Sequence, residues 1–156
     1  MDIKDSNTEG YTLTSGYKRY EAGTPNISGA IGLAQAVKYL DNLGIDVVFR
    51  HEQKLTTRLL EGLAEIDKVN VYGPQDTENR IGVVSFTIDL IHPHEIAYLL
   101  DERAAILVRS GDHCCIPLMK YMGLENGTVR ASLYLYNTPE EVDLLIETIK
   151  EIARTV

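Results

Sequence analysis

Two adjacent cysteines, Cys114 and Cys115, follow a histidine in the run Arg109-Ser110-Gly111-Asp112-His113-Cys114-Cys115-Ile116-Pro117-Leu118-Met119. They are the only cysteines of the chain. A cysteine attacks as the thiolate, and a neighbouring Arg or protonated His favours that form. Ser-Gly-Asp signals a turn, and loops at strand ends are where chemistry tends to sit. The stretch therefore offers a sulfur nucleophile with Arg109 and His113 beside it. The same residues also read as two small buried side chains with no task, because free Cys is among the most buried residue types. Local composition leaves both readings open.

The loop needs a frame. The short apolar run Ala104 to Val108 predicts a buried strand leading into it. After a turn at Gly123 to Gly127, Val129, Ala131, Leu133 and Leu135 alternate with Arg130, Ser132, Tyr134 and Tyr136. That period predicts a strand over 128–136 with one face in the core and Arg130 on the other. Val69 to Tyr72 and Ile81 to Ile88 predict two more strands.

Helices account for the rest. Ser28 to Leu43 has a helical apolar period that stops at Gly44. Asp46 is placed to start a second helix, with Val48, Leu55, Leu59, Leu63 and Ile66 as one stripe. His51 falls on its wet side and predicts a solvated residue. His92-Pro93-His94-Glu95 opens a third helix, with Pro93 in the first turn and Glu95 at the positive end. Its histidines read as capping or surface residues, because they lack the four-residue spacing of a metal pair. Thr138-Pro139-Glu140-Glu141 is a capping box that starts a last helix lined by Val142, Leu145, Ile146, Ile149 and Ile152. Grouped strands between helices predict an α+β fold: a small, mainly antiparallel sheet with helices packed on one face. Residues 1–26 predict a mostly irregular segment, and 27–156 a single domain.

The chain has 156 residues and a formal net charge of −8. One domain with a real core fits that length. The acidic balance argues against nucleic acid and against a polybasic membrane surface. No apolar run is long enough to span a bilayer, and the polar start is unlike a signal peptide. Adjacent cysteines are neither a disulfide framework nor a zinc site. A reducing, cytoplasmic setting and no metal are expected.

Five stretches resemble one family in its own order. Arg109 to Met119 resembles R-[ST]-G-x-H-C-x-x-P. Tyr20-Glu21-Ala22-Gly23-Thr24-Pro25-Asn26 resembles F-E-A-G-T-P-N. His92-Pro93-His94-Glu95-Ile96-Ala97 through Leu100-Asp101 resembles H-x-x-[DE]-[VI]-A-x-x-L-D. Val129-Arg130-Ala131-Ser132 resembles [VC]-R-A-S, and Tyr136 to Asp143 resembles Y-N-T-x-E-E-[VI]-D. These are motifs of the group II, SUF-type cysteine desulfurases and selenocysteine lyases. That group belongs to the class V aminotransferase family, fold-type I enzymes that use pyridoxal phosphate. The resemblance covers nearly all of the chain, and the predicted α+β fold agrees with the C-terminal domain of such enzymes.

The resemblance implies roles. Cys114 is the nucleophile that takes sulfur from L-cysteine, or selenium from L-selenocysteine, and holds it as a persulfide for an acceptor protein in iron–sulfur cluster assembly. His113 relays protons. Arg130 clamps the substrate carboxylate, and Arg109 is a second arginine near the substrate. Thr24 reaches the pyridoxal phosphate of the partner subunit in a homodimer; by itself it reads as a turn or helix-start hydroxyl. Two positions depart from the pattern. Asp112 stands where many relatives have His, and its charge opposes a thiolate. Cys115 replaces a small or apolar residue; it reads as filler in preference to a resolving thiol.

The family's large domain carries the cofactor on a lysine in an S-x-H-K context, and that motif does not occur here. The expectation is a C-terminal domain, or half of a split enzyme, that is inactive alone and binds no pyridoxal phosphate by itself. Two other readings remain: a non-catalytic binding or scaffold module, and a class V aminotransferase or epimerase domain.

Overall fold

A computed structural model describes residues 2–21 and 23–156. Met1 and Ala22 lie outside the described residues, the latter within the Tyr20–Asn26 motif. The chain forms two compact units, Met1–Gly44 and Ile45–Val156.

In the first unit, strands β1 (Ile3–Ser6) and β2 (Tyr11–Leu13) form an antiparallel hairpin. Asn7 makes its turn, with Oδ1 accepting from the N–H of Glu9 and Gly10 at 2.9 and 3.0 Å. A 3-10 helix over Gly16–Tyr20 follows. Helix α1 (Ile27–Leu43) starts where Asn26 Oδ1 accepts from Gly29 N–H at 2.9 Å, and stops at Gly44, φ +85°. One expectation is corrected here. The described residues of 2–26 are more regular than predicted, because the Asn7 turn lets two short runs pair. Helix α1 belongs to the first compact unit and has no buried side chain.

The second unit runs α2 (Ile45–Ala64), β3 (Val69–Tyr72), β4 (Val83–Ile88), α3 (Pro93–Ala104), β5 (Arg109–Gly111), α4 (Ile116–Tyr121), β6 (Thr128–Ser132) and α5 (Pro139–Ala153). The strands lie in the order β3-β4-β6-β5, all neighbours antiparallel. Helices α2, α3 and α5 pack on one face. The α+β class read from the sequence is the observed one. Val84, Phe86, Ile88, Val129 and Ala131 alternate onto that face and meet Leu55, Leu59, Leu63, Ile96, Leu100, Val142, Leu145, Ile149 and Ile152 in one core. The predicted stripes of α2 and α5 are buried, with Ile146 only partly so. The capping box is formed: Thr138 Oγ1 accepts from Glu141 N–H at 3.3 Å, and Glu141 Oε2 accepts from Thr138 N–H at 3.0 Å.

Three local predictions need correction. Residues 105–108 are not a strand; regular pairing begins at Arg109, and Leu107 is 83 % exposed. Helix α3 ends in a left-handed cap at Ala105, φ +52°, with Ala105 N–H bonded to Asp101 O and Ile106 N–H to Leu100 O at 2.8 and 3.2 Å. That Schellman-like closure uses the residues the strand needed. Strand β6 stops at Ser132, because Asn137 Oδ1 captures Tyr134 N–H at 2.9 Å and folds the chain into a turn. His51 is half-buried and bonds the Asn137 carbonyl at 3.0 Å, so it is no solvated residue.

Candidate active site

The loop between β5 and α4 is a tight turn. Cys115 N–H bonds Asp112 O at 2.9 Å, which closes a four-residue turn around His113 and Cys114. Both central residues have positive φ, +53° and +59°. For residues other than glycine that region costs about 1–3 kcal/mol each and persists only where the surroundings hold it.

Four features hold it. Asp112 Oδ1 accepts from Cys114 N–H at 3.1 Å. His113 Nε2 lies 2.8 Å from Oγ1 of Thr128, itself 1 % exposed on β6. His94 Nδ1 lies 2.8 Å from Ser110 Oγ, and the ring packs where a Gly111 side chain would be. Gly127, φ +73°, lies against the Gly111 carbonyl so closely that a Cβ there would overlap it. Sequence reading missed His94, Gly127 and Thr128 as loop anchors. Only Gly127, in a turn beside a strand, left a signal there.

Cys114 and Cys115 are both free and exposed. Neither thiol is buried in this chain. Arg109 Nη2 lies 3.4 Å from Cys114 Sγ and is directed at it as a donor. Asp112 spends its carboxylate on the Cys114 amide, which accounts for an acidic residue beside the thiol.

Arg109 pairs directly with Arg130 across β5 and β6, so both side chains leave the same face of the sheet. Like charges in directly opposed positions are unfavourable without an anion. Neither arginine makes an ion pair among the described residues, and Arg130 Nε is buried without a partner. Two guanidinium forks on one face match a carboxylate. His113 Nδ1 is also buried and unpartnered. Burial, then the charge of Arg130, with Arg109 adding, hold the ring's pKa below its ordinary value against Thr128 and Asp112. The imidazole is neutral at pH 7, so it can give or take one proton at a free nitrogen.

The structure thus brings Cys114, His113, Arg109 and Arg130 together. Thr24 belongs to the first unit, exposed and two residues before the Asn26 cap. Pyridoxal phosphate needs an amine to carry it and a pocket for its ring. In the second unit Lys54, Lys68 and Lys120 are exposed, and Lys150 sits 3.9 Å from Glu147 on the surface. The residues present do not fit the cofactor by themselves.

Residues 2–145 match the aminotransferase class-V family, and the chain belongs to it. Among its relatives is a probable cysteine desulfurase of Pyrococcus abyssi, 46 % identical over 154 residues, which cover 99 % of this chain and 38 % of the relative. The apo structure of a cysteine desulfurase from Thermococcus onnurineus superposes with a TM-score of 0.88 at 45 % identity, over 99 % of this chain and 38 % of that one. The cysteine desulfurase CsdA of Escherichia coli gives 0.84 at 28 % identity, over 99 % and 37 %. The chain therefore spans well under half the length of these relatives. Among the described residues, no helix is long and apolar enough to cross a membrane.

Proposed function

We propose that this chain is the sulfur-accepting part of a SUF-type cysteine desulfurase, and that the remainder of the enzyme supplies the pyridoxal phosphate site. The observation that carries the reading is Cys114: an exposed thiol on a strained turn, with a guanidinium on its sulfur and a second arginine beside that one. Its thiolate attacks the sulfur of L-cysteine. A new S–S bond forms, the substrate C–S bond breaks, alanine is the organic product and a persulfide stays on Cys114. Arg130 and Arg109 grip the substrate carboxylate, and neutral His113 moves a proton within the loop. Thr24 contacts the cofactor phosphate across a homodimer. The persulfide passes to an acceptor protein in a reducing, cytoplasmic setting, where free thiols persist. The chain alone is inactive.

The test uses the complete enzyme. Fed L-cysteine, it yields alanine and one added sulfur on the Cys114 peptide by mass spectrometry; Cys114→Ser yields neither. Full turnover by Cys114→Ser overturns the assignment.

A further inference from the structure

Cys115 is the reactive side chain of the loop that this function leaves idle. Its thiol is free and exposed, and its contacts in the fold are made by its backbone: the N–H closes the turn on Asp112, and the carbonyl accepts from the N–H of Leu118 and Met119 at the start of α4. Consecutive Cα atoms lie about 3.8 Å apart. Relaxed disulfides span about 4.4–6.8 Å. A direct Cys114–Cys115 bond is therefore strained. A persulfide changes the reach, because it carries an outer sulfur about 2 Å beyond Cys114 Sγ.

We infer that Cys115 is a second sulfur station, which takes the outer sulfur from the Cys114 persulfide; the inference rests on the proposed desulfurase reading. The Cys115 thiol loses its proton to solvent and its thiolate attacks the outer sulfur. A new S–S bond forms at Cys115, the S–S bond at Cys114 breaks, and the electron pair leaves on Cys114 Sγ. Cys114 ends as a thiolate and Cys115 as a persulfide, with no oxidant or reductant consumed. Thiol exchange runs faster when the departing sulfur is stabilised as an anion. Arg109 Nη2, 3.4 Å from Cys114 Sγ, faces the sulfur that departs. Among the described residues Cys115 has no such contact, so the cation favours release from 114. Cys114 is then free for a second substrate before any acceptor arrives.

The experiment gives L-cysteine to the complete, cofactor-loaded enzyme without acceptor or reductant, then quenches it with an alkylating agent. The wild type shows a burst of about two alanines per protomer and Cys115→Ser about one, the burst being the signature of a covalent intermediate that accumulates. Mass spectrometry locates the sulfur on Cys114 first and on Cys115 later. A burst of one in the wild type, with sulfur on Cys114 alone, overturns the second station and leaves the desulfurase reading standing. Sulfur on Cys115 in Cys114→Ser also overturns the relay, because Cys115 then takes it directly. Sulfur on neither cysteine overturns both.

Discussion

Along β4 and β6, Val84, Phe86, Val129 and Ala131 point to the helices, while Ser85, Thr87, Arg130 and Ser132 point away. On the first face the strand side chains are all apolar, and the helices packed there keep one buried hydroxyl without a partner among the described residues, that of Thr56. On the second, two arginines oppose each other, Arg130 Nε and His113 Nδ1 are buried without partners, and two residues of the adjoining loop hold left-handed backbone. Each of these features is unfavourable in isolation. They are tolerated because the helix side supplies the stability, and they collect where a ligand could relieve them. The difference separates what keeps the unit folded from what it does.

Truncating the core side gives the largest effect. Phe86 is fully buried at 0 % exposure. Phe86→Ala is expected to remove about 3–5 kcal/mol, read from urea unfolding. A loss below about 1 kcal/mol would mean that the stability resides elsewhere than on the helix side.

The open side answers in activity. Arg130→Lys keeps the charge and loses the fork. In the complete enzyme kcat/KM for L-cysteine should fall about 10- to 100-fold, since a charged hydrogen bond contributes roughly 1.5–3 kcal/mol. The urea midpoint should stay or rise, as one of two opposed guanidinium groups becomes more adaptable. A matching drop in stability would mean that Arg130 is structural.

The two faces also differ in how far the sequence reveals them. Helix α5 is readable from Thr138-Pro139-Glu140-Glu141 and its apolar period, because every device that makes it is local. The stripe Val48, Leu55, Leu59, Leu63 and Ile66 is readable for the same reason. The family motifs point to Cys114, His113, Arg109 and Arg130, yet not to what holds them. Thr128 under His113, Gly127 against Gly111 and His94 on Ser110 are remote in sequence and meet only through strand register or the packing of α3 on β5. The opposition of Arg109 and Arg130 is likewise a property of pairing, which neither strand carries alone. Where local and remote demands conflict, the local reading fails, as at 105–108, where a helix closure displaces the expected strand.

A smaller effect sharpens the helix side. Thr138→Ala removes the hydroxyl that accepts from Glu141 N–H. About 1 kcal/mol of stability should go, with no change in persulfide formation at Cys114 in the complete enzyme. Loss of persulfide formation at unchanged stability would couple α5 to the loop and blur the division.

The smallest effect is a pH dependence at His113. Its pKa is held below the ordinary value of about 6.5, chiefly by burial and then by Arg130. The unfolded chain therefore takes up the proton first. As pH falls through about 6.5 the unfolded state binds more protons than the folded one, and stability declines until the ring protonates within the fold. Above that window the contribution is constant. Carboxylates that the fold keeps ionised, such as Glu141, held low by Asn137 and the Thr138 N–H, act in a more acidic range. In urea unfolding between about pH 7.5 and pH 5.5, His113→Asn should therefore flatten the decline seen in the wild type. Parallel declines would mean that the ring is not desolvated by the loop. The open face would then be an ordinary wet surface, and the unpartnered Nδ1 would no longer argue for a proton-handling group beside Cys114.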